Sequence, residues 1–320
     1  MTARQATTLL LHALAWGAAY VFVASALDGY SPLQVVVGRM LIATAVLGLV
    51  ARAQGHRASA VVAVVRDRPG PAIALALANC VVPFLVITAG QQTVSASLTG
   101  ILVASVPIWT ALLALRLDPT GRLGARGAVG VAVGLGGVVL AILASRGGAS
   151  GEALGIGLVL LGAASYGLCG FLVQRHWGDV PTTLRGLVVF VVSCAVLVPL
   201  APLGGGVHVE AGPTAALVAL GVISTAAAFV LGFMNIDALG PHRAALASYL
   251  APGCSILLAA LLLQETITLG AVAGLALIVA GVAIGTSGPR HARPAPAPRR
   301  ARAPEATAHD PLDTPVGPLP

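Results

Sequence analysis

Long apolar runs alternate with short polar or charged segments along most of this chain. Ten runs are near membrane-spanning length, and they fall at about 7–27, 32–51, 70–90, 95–115, 124–145, 152–173, 183–203, 213–233, 242–263 and 268–288. Since about 20 residues of helix cross a bilayer, and since backbone in hydrocarbon must bond to itself, each run predicts one helix. The pattern therefore predicts an all-α integral membrane protein with ten transmembrane helices.

The composition supports a lipid-embedded chain. Of 320 residues, 57% are hydrophobic and only 9% are charged. A soluble domain carries about 25% charged residues because its surface must face water. These charges are too few to coat a soluble globule of this size, so the lipid bilayer is the expected surroundings.

The arginines predict the orientation. Every basic residue is Arg, and with a cytoplasmic N-terminus, 16 of the 18 fall in cytoplasmic segments. Arg146 alone lies outside, and Arg39 lies within a helix. This bias follows the positive-inside rule and predicts a plasma (inner) membrane protein with both termini cytoplasmic. The arginines form short clusters between apolar runs without interleaved aromatics, so no nucleic-acid partner is expected.

The two halves of the chain resemble each other at an offset near 150. Residues 15–20 match 165–170, and Pro107 and Pro252 fall within the fourth and ninth predicted helices. Each half has five helices, an odd number, so the second half enters the membrane in the opposite sense. We therefore expect a first repeat at 1–145 and a second, inverted repeat at 152–288. Residues 289–320 hold nine of the 21 prolines and predict a disordered cytoplasmic Pro/Ala/Arg tail.

Several of these positions together resemble a known family. They are Trp16-Gly17-x-x-Tyr20, the Pro32…Arg39 segment, and the mid-helix Pro107 and Pro252. The chain resembles EamA-type transporters of the drug/metabolite transporter superfamily. This resemblance implies ten helices, cytoplasmic termini and export or exchange of small metabolites. The chain departs from the family's Gly-Glu pair: the ninth helix ends with Glu265 but no glycine before it, and the fourth lacks the glutamate.

Arg39 is the sharpest functional candidate. It lies about seven residues inside the second helix, roughly 10 Å from the outer end, where a charge is costly and must face protein or water. One interpretation is that Arg39 binds an anionic group of the substrate, such as a carboxylate. The other is that it bonds helix-end carbonyls and fixes the bundle.

Polar and aromatic side chains supply further candidates for substrate binding. His12, Trp16 and Tyr20 share one face of the first helix. His12 is either protonated during transport or a neutral hydrogen-bonding group, and the aromatics either line an apolar pocket or simply pack. The remaining candidates come from later helices: Asn79, Tyr166, Phe171 and Tyr249.

Prolines and glycines within the spans have separate predicted roles. Pro83, Pro107 and Pro252 remove helix hydrogen bonds, so their free carbonyls serve a ligand, permit hinge bending or are satisfied by neighbours. Glycines four residues apart predict close packing of the fifth and tenth helices, and these pairs are Gly130/Gly134, Gly270/Gly274 and Gly281/Gly285.

The leading hypothesis is a secondary transporter, not an enzyme, that moves a small organic solute by alternating access. The solute would be an amino acid, a metabolite or a drug, and no cofactor or metal is expected. Carboxylates lie near span ends rather than in their middles, so no common carboxylate proton relay is visible. The alternative is an integral membrane lipid-modifying enzyme, for which the nearest cluster is His176 with Asp179.

Overall fold

The computed structural model describes residues 2–117, 124–145, 151–206 and 209–286. Within these ranges the fold is helical, without strands, and its eleven helices are α1 Ala3–Leu27, α2 Pro32–Ala53, α3 Ala58–Asp67, α4 Pro69–Gly90, α5 Ala96–Leu117, α6 Ala125–Ser145, α7 Glu152–His176, α8 Thr182–Gly204, α9 Ala211–Gly240, α10 Leu246–Leu262 and α11 Leu269–Thr286. Of the described helices, nine are long and apolar enough to cross a membrane, and α10 is a shorter apolar helix. With α10 counted, the prediction of ten spans is confirmed.

Helix starts follow from local sequence. Thr2 and Ser31 each form a capping box with the glutamine three residues later, at the beginnings of α1 and α2. Ser95 caps α5 by accepting a hydrogen bond from the Leu98 amide. These side chains satisfy amides that a helix start leaves unpaired.

Two features differ from the predicted boundaries. Helix α9 extends to Gly240, which has φ 75° and breaks the helix before α10 begins at Leu246. The predicted start at 242 was therefore wrong by one turn. The segment between α2 and α4, expected as a loop, contains α3, an amphipathic helix that buries Val61.

The helices pack in a pattern that repeats between the halves. Helix α1 packs on α9 and α10, and α7 correspondingly packs on α4 and α5. Helices α2 and α8 contact each other, as do α6 and α11. Exchanging each helix with its counterpart five spans later maps this set of contacts onto itself, which is the signature of a pseudo-twofold axis. Because each repeat has five spans, the axis relates oppositely directed helices and lies in the membrane plane.

A π-turn interrupts the third spanning helix of each repeat. Residues Leu77–Val81 form a π-turn within α4, and Val222–Ala227 form one within α9. Such single-turn insertions shift the hydrogen-bond ladder and are frequent at functional sites. Hydropathy and residue spacing do not predict these turns.

Glycines bring α6 and α11 into backbone contact. A Cβ added to Gly137 would lie 2.6 Å from the Gly274 carbonyl oxygen, and one added to Gly281 would lie 2.5 Å from the Gly130 carbonyl oxygen. Of the glycines predicted to pack, Gly285 has open space around it, although its backbone contacts Gly130. The predicted close approach of these helices is present.

Gly137→Ala should destabilise the protein by about 1–3 kcal/mol, because the methyl group would push the α11 backbone away. Gly136→Ala is the matched control, since a Cβ there meets nothing within 4 Å and alanine favours helix. The thermal midpoints of both variants in detergent test this difference. Equal midpoints would contradict the proposed backbone contact.

Candidate functional site

Among the described residues, the helix bundle contains a larger and a smaller cavity. The larger has a volume of about 380 Å³ and is lined by residues from α1, α2, α4, α5, α7, α9, α10 and α11. Its polar and aromatic lining residues are Trp16, Tyr20, Arg39, Asn79, Phe84, Tyr166, Ser224, Phe229, Ser248 and Tyr249. This volume falls in the range of small-molecule sites, which are mostly apolar with a few placed polar groups.

The smaller cavity has a volume of about 30 Å³, enough for a water molecule. The linings of the two cavities share five residues: Trp16, Tyr20, Arg39, Phe84 and Tyr166. We call these five residues the partition, because they separate the two spaces.

The cavities lie toward opposite sides of the membrane. We call the side on which α1 begins the near side and the other the far side. In the larger cavity, Gly170 and Ser248 are exposed, and both lie toward near-side helix ends. In the smaller cavity, Thr88 and Gln91 lie at the far-side end of α4 and are buried. The larger cavity therefore extends toward near-side residues that are exposed, and the far-side residues that line the smaller cavity are buried.

Arg39 is part of the partition and joins the two repeats. Its Nε and Nη2 donate to the Thr225 hydroxyl at 3.2 and 3.0 Å, and its guanidinium lies 3.7 Å from the centroid of the Phe84 ring. Thr225 in turn donates to the Leu220 carbonyl. The described contacts of Arg39 are thus a π-turn hydroxyl and an aromatic face, and both sequence-based interpretations of Arg39 stay predictions.

Each π-turn contributes one polar side chain to the larger cavity. Asn79 comes from the turn in α4, and Ser224 comes from the turn in α9. Ser224 is 2% exposed, and its hydroxyl has no hydrogen-bond partner among the described residues. Sequence reasoning missed Ser224 because a serine in an apolar helix is unremarkable until a π-turn moves it.

The predicted aromatic candidates reach the cavity only in part. Trp16, Tyr20, Tyr166 and Tyr249 line it, whereas Phe171 lines neither described cavity. Phe229, which the sequence analysis did not select, is also part of the lining.

His12 supports the cavity wall rather than lining it. Its ring stacks on Trp16 with centroids 5.0 Å apart, and its Nδ1 lies 3.5 Å from the Asn235 amide nitrogen. Its functional role stays a prediction.

The three prolines occupy different positions relative to the cavity. Pro107 and Pro252 line it, and Pro83 does not. Pro83 follows the π-turn of α4, where the Ala78 carbonyl accepts a hydrogen bond from the Ser165 hydroxyl at 3.0 Å. The Ser165 side chain thus satisfies a backbone carbonyl near Pro83, and the roles of the three prolines in transport stay predictions.

Glu265, in the loop between α10 and α11, binds the start of α5 at the far side. Its carboxylate accepts hydrogen bonds from the Ala96 and Ser97 amides at 2.8 and 3.0 Å and from the Ser97 hydroxyl at 2.5 Å. A negative charge at the start of α5 also interacts favourably with the helix dipole. We call this set of three bonds the far-side latch, which connects the α10–α11 loop to the first repeat.

The His176 and Asp179 pair on the near side is engaged in structural contacts. Arg68 donates to both Asp179 carboxylate oxygens at 2.9 and 2.7 Å, and to the His176 carbonyl at 2.6 Å. These hydrogen bonds from Arg68 lower the pKa of Asp179 to about 2. Arg68 and Asp179 therefore form an ion pair that joins two loops. No described contact joins the His176 side chain to Asp179 as a catalytic pair would.

Comparison with known proteins identifies the architecture. Twenty-two chains of solved structures match this one. One, titled only "Crystal structure of protein", is 19% identical with a TM-score of 0.63, and the alignment covers 89% of this chain and 97% of that chain. Identity at this level supports the fold alone. A search of curated proteins found no significant match.

A family model gives the remaining comparison. The model described as the EamA-like transporter family matches residues 4–143 and 153–286, one segment for each five-helix repeat. The matched segments cover most of the chain. This chain belongs to the EamA-like transporter family.

Proposed function

We propose that this membrane transporter carries a small organic solute, such as an amino acid, metabolite or drug, as an exporter or exchanger working by alternating access. The observation that carries the proposal is the larger cavity, which has exposed residues toward the near side while the residues that line the smaller, far-side cavity are buried. Arg39 and the aromatic residues of the partition would contact the solute there. The arginine distribution supports a cytoplasmic near side, and the proposed location is the plasma (inner) membrane.

The inverted repeat supports the alternating mechanism. Two related halves packed in opposite senses can exchange conformations, so that a site between them faces first one side and then the other. In this structure the far-side latch holds α10–α11 against α5. The latch would open when the cavity turns to the far side. No described contact favours the alternative of a lipid-modifying enzyme, since Asp179 is bound by Arg68.

The transport proposal is tested by counterflow of a broad solute panel into proteoliposomes containing the full chain. At least one amino acid, metabolite or drug should show saturable flux. Absence of flux across the panel, with folded protein confirmed by its thermal midpoint, would contradict the proposed function.

Gly170→Tyr should block the cavity and reduce the initial flux by about tenfold or more, because the added ring would occupy space needed by solute. Gly170 lines the cavity, and a Cβ there meets nothing within 4 Å, so the backbone tolerates the change. Gly157→Tyr is the matched control on the same helix, with equal free space but outside both described cavities. Similar flux in the Gly170→Tyr and Gly157→Tyr variants would show that solute does not pass through the cavity.

Glu265→Gln should weaken the far-side latch, since an amide has one acceptor oxygen where the carboxylate uses two. The readout is labelling of a Thr88→Cys variant in intact cells by a membrane-impermeant maleimide, because Thr88 is 1% exposed in the closed arrangement. Loss of a charge-assisted bond should raise the labelling rate about tenfold. Gln264→Ala, in the same loop, should leave it unchanged. If the Thr88→Cys variant is labelled equally fast with and without Glu265→Gln, Glu265 does not control access from the far side.

A further inference from the structure

The charge of the larger cavity restricts what it can bind. Among the described residues that line it, Arg39 is the one that is ionised at neutral pH, and the rest are apolar, aromatic, hydroxyl or amide side chains. The described contacts of its guanidinium are the Thr225 hydroxyl and the Phe84 ring, neither of which carries a negative charge. The described lining of the cavity therefore carries a net positive charge.

A buried charge without a counterion is unfavourable, and a bound anion relieves it. The surrounding low-dielectric wall strengthens attraction to a negative group and repulsion of a positive one. A solute with a carboxylate would neutralise Arg39. A lipophilic cation would meet the same guanidinium and find no acid among the described lining residues.

Ser224 supplies a second, independent indication of a polar ligand. Ser224 is one of the lining residues, its hydroxyl is buried and has no partner among the described residues, and such groups in native structures call for an explanation. It neighbours Thr225, the residue to which Arg39 donates. A ligand carboxylate near Arg39 has a second oxygen with which Ser224 can bond.

Asn79 gives the corresponding contribution from the other repeat. It occupies the π-turn of α4 as Ser224 occupies that of α9, and both line the same cavity. An amide can donate to a carboxylate or bond a neutral polar group. The polar end of the solute would thus be held by one charge and two neutral groups, drawn from both repeats.

The remaining wall suits an apolar body. Trp16, Tyr166, Phe229 and Tyr249 present aromatic surfaces. An ammonium group of a zwitterion would have ring faces and neutral oxygens to contact, and no described carboxylate. The wall therefore favours a solute whose net charge is negative over a zwitterion of the same skeleton.

We propose that the solute is a net anion, a monocarboxylate with an apolar or aromatic body, whose carboxylate is bound by Arg39 and Ser224 with Asn79 beside them. This inference rests on the proposed function, since it takes the larger cavity as the transport site. It adds the net charge of the solute and a new binding residue, Ser224, and it gives the sequence-based candidates Arg39 and Asn79 a shared role.

The test uses three probes that share one skeleton: 3-phenylpropanoate, 3-phenylpropanamide and 3-phenylpropylamine. Binding to the full chain in nanodiscs is measured by calorimetry, with empty nanodiscs as the blank for partitioning. The carboxylate should bind about tenfold or more tightly than the amide, and the amine should bind most weakly. In Arg39→Gln the carboxylate and amide should bind with about equal affinity.

Ser224 has its own variant and control. Ser224→Ala should weaken carboxylate binding about fivefold through loss of one hydrogen bond. Ser193→Ala, which removes a buried hydroxyl of α8 outside both described cavities, should bind like the parent protein. Equal effects of the two substitutions would overturn the assignment of Ser224.

The possible outcomes separate this inference from the proposed function. Equal or tighter binding of the amine would overturn the anion assignment while leaving a transport site in place. Failure of 3-phenylpropanoate and of longer and shorter phenylalkanoates to bind folded protein would overturn it too. Failure of the transport proposal is distinct, since it appears as absence of flux for every solute of the counterflow panel.

Discussion

The structure depends on one constraint: backbone in hydrocarbon must satisfy its own hydrogen bonds. This constraint makes every crossing a helix, and irregular backbone is tolerated only where protein or a wet cavity surrounds it. The two π-turns, Leu77–Val81 and Val222–Ala227, obey that limit, since each borders the larger cavity. Side-chain hydroxyls donate hydrogen bonds to carbonyls in or next to both turns. The Ser165 hydroxyl donates to the Ala78 carbonyl, and the Thr225 hydroxyl donates to the Leu220 carbonyl. The two π-turns thus lie at the site that needs polar groups.

The sequence predicted the features that follow from average properties of long segments. The lengths of the apolar runs predicted the ten crossings, and the glycines at positions such as Gly130 and Gly281 predicted that α6 packs closely on α11. Arg39 could be selected because a charge inside a span requires a protein or water environment. Asn79 was selected as a polar group within a span, and Trp16, Tyr20 and Tyr166 were selected as aromatics at matching positions of the two halves. These four residues line the larger cavity.

Other features could not be predicted because they depend on exact backbone register. Ser224 lies in Val-Ile-Ser-Thr-Ala-Ala, a segment whose composition does not distinguish a π-turn from ordinary helix. Phe171 and Tyr166 are both aromatics on α7, and only the helix rotation decides that Tyr166 lines the cavity. Glu265 was recognised as a span-end acid, but its bonds to Ala96 and Ser97 join segments that are far apart in sequence. The predicted tail, 289–320, lies outside the described residues.

A symmetric scaffold here holds an asymmetric site. At corresponding positions the first repeat has Trp16 and Tyr20 where the second has Tyr166 and Gly170, so one half supplies bulk where the other leaves space. Arg39 adds a charge from the first repeat alone, and Thr225 of the second repeat holds it. Because the guanidinium bonds across the pseudo-twofold and lies in the partition, any motion of one repeat against the other must change its contacts. A solute that neutralises Arg39 would alter the cost of that change, which links occupancy of the cavity to opening of the partition.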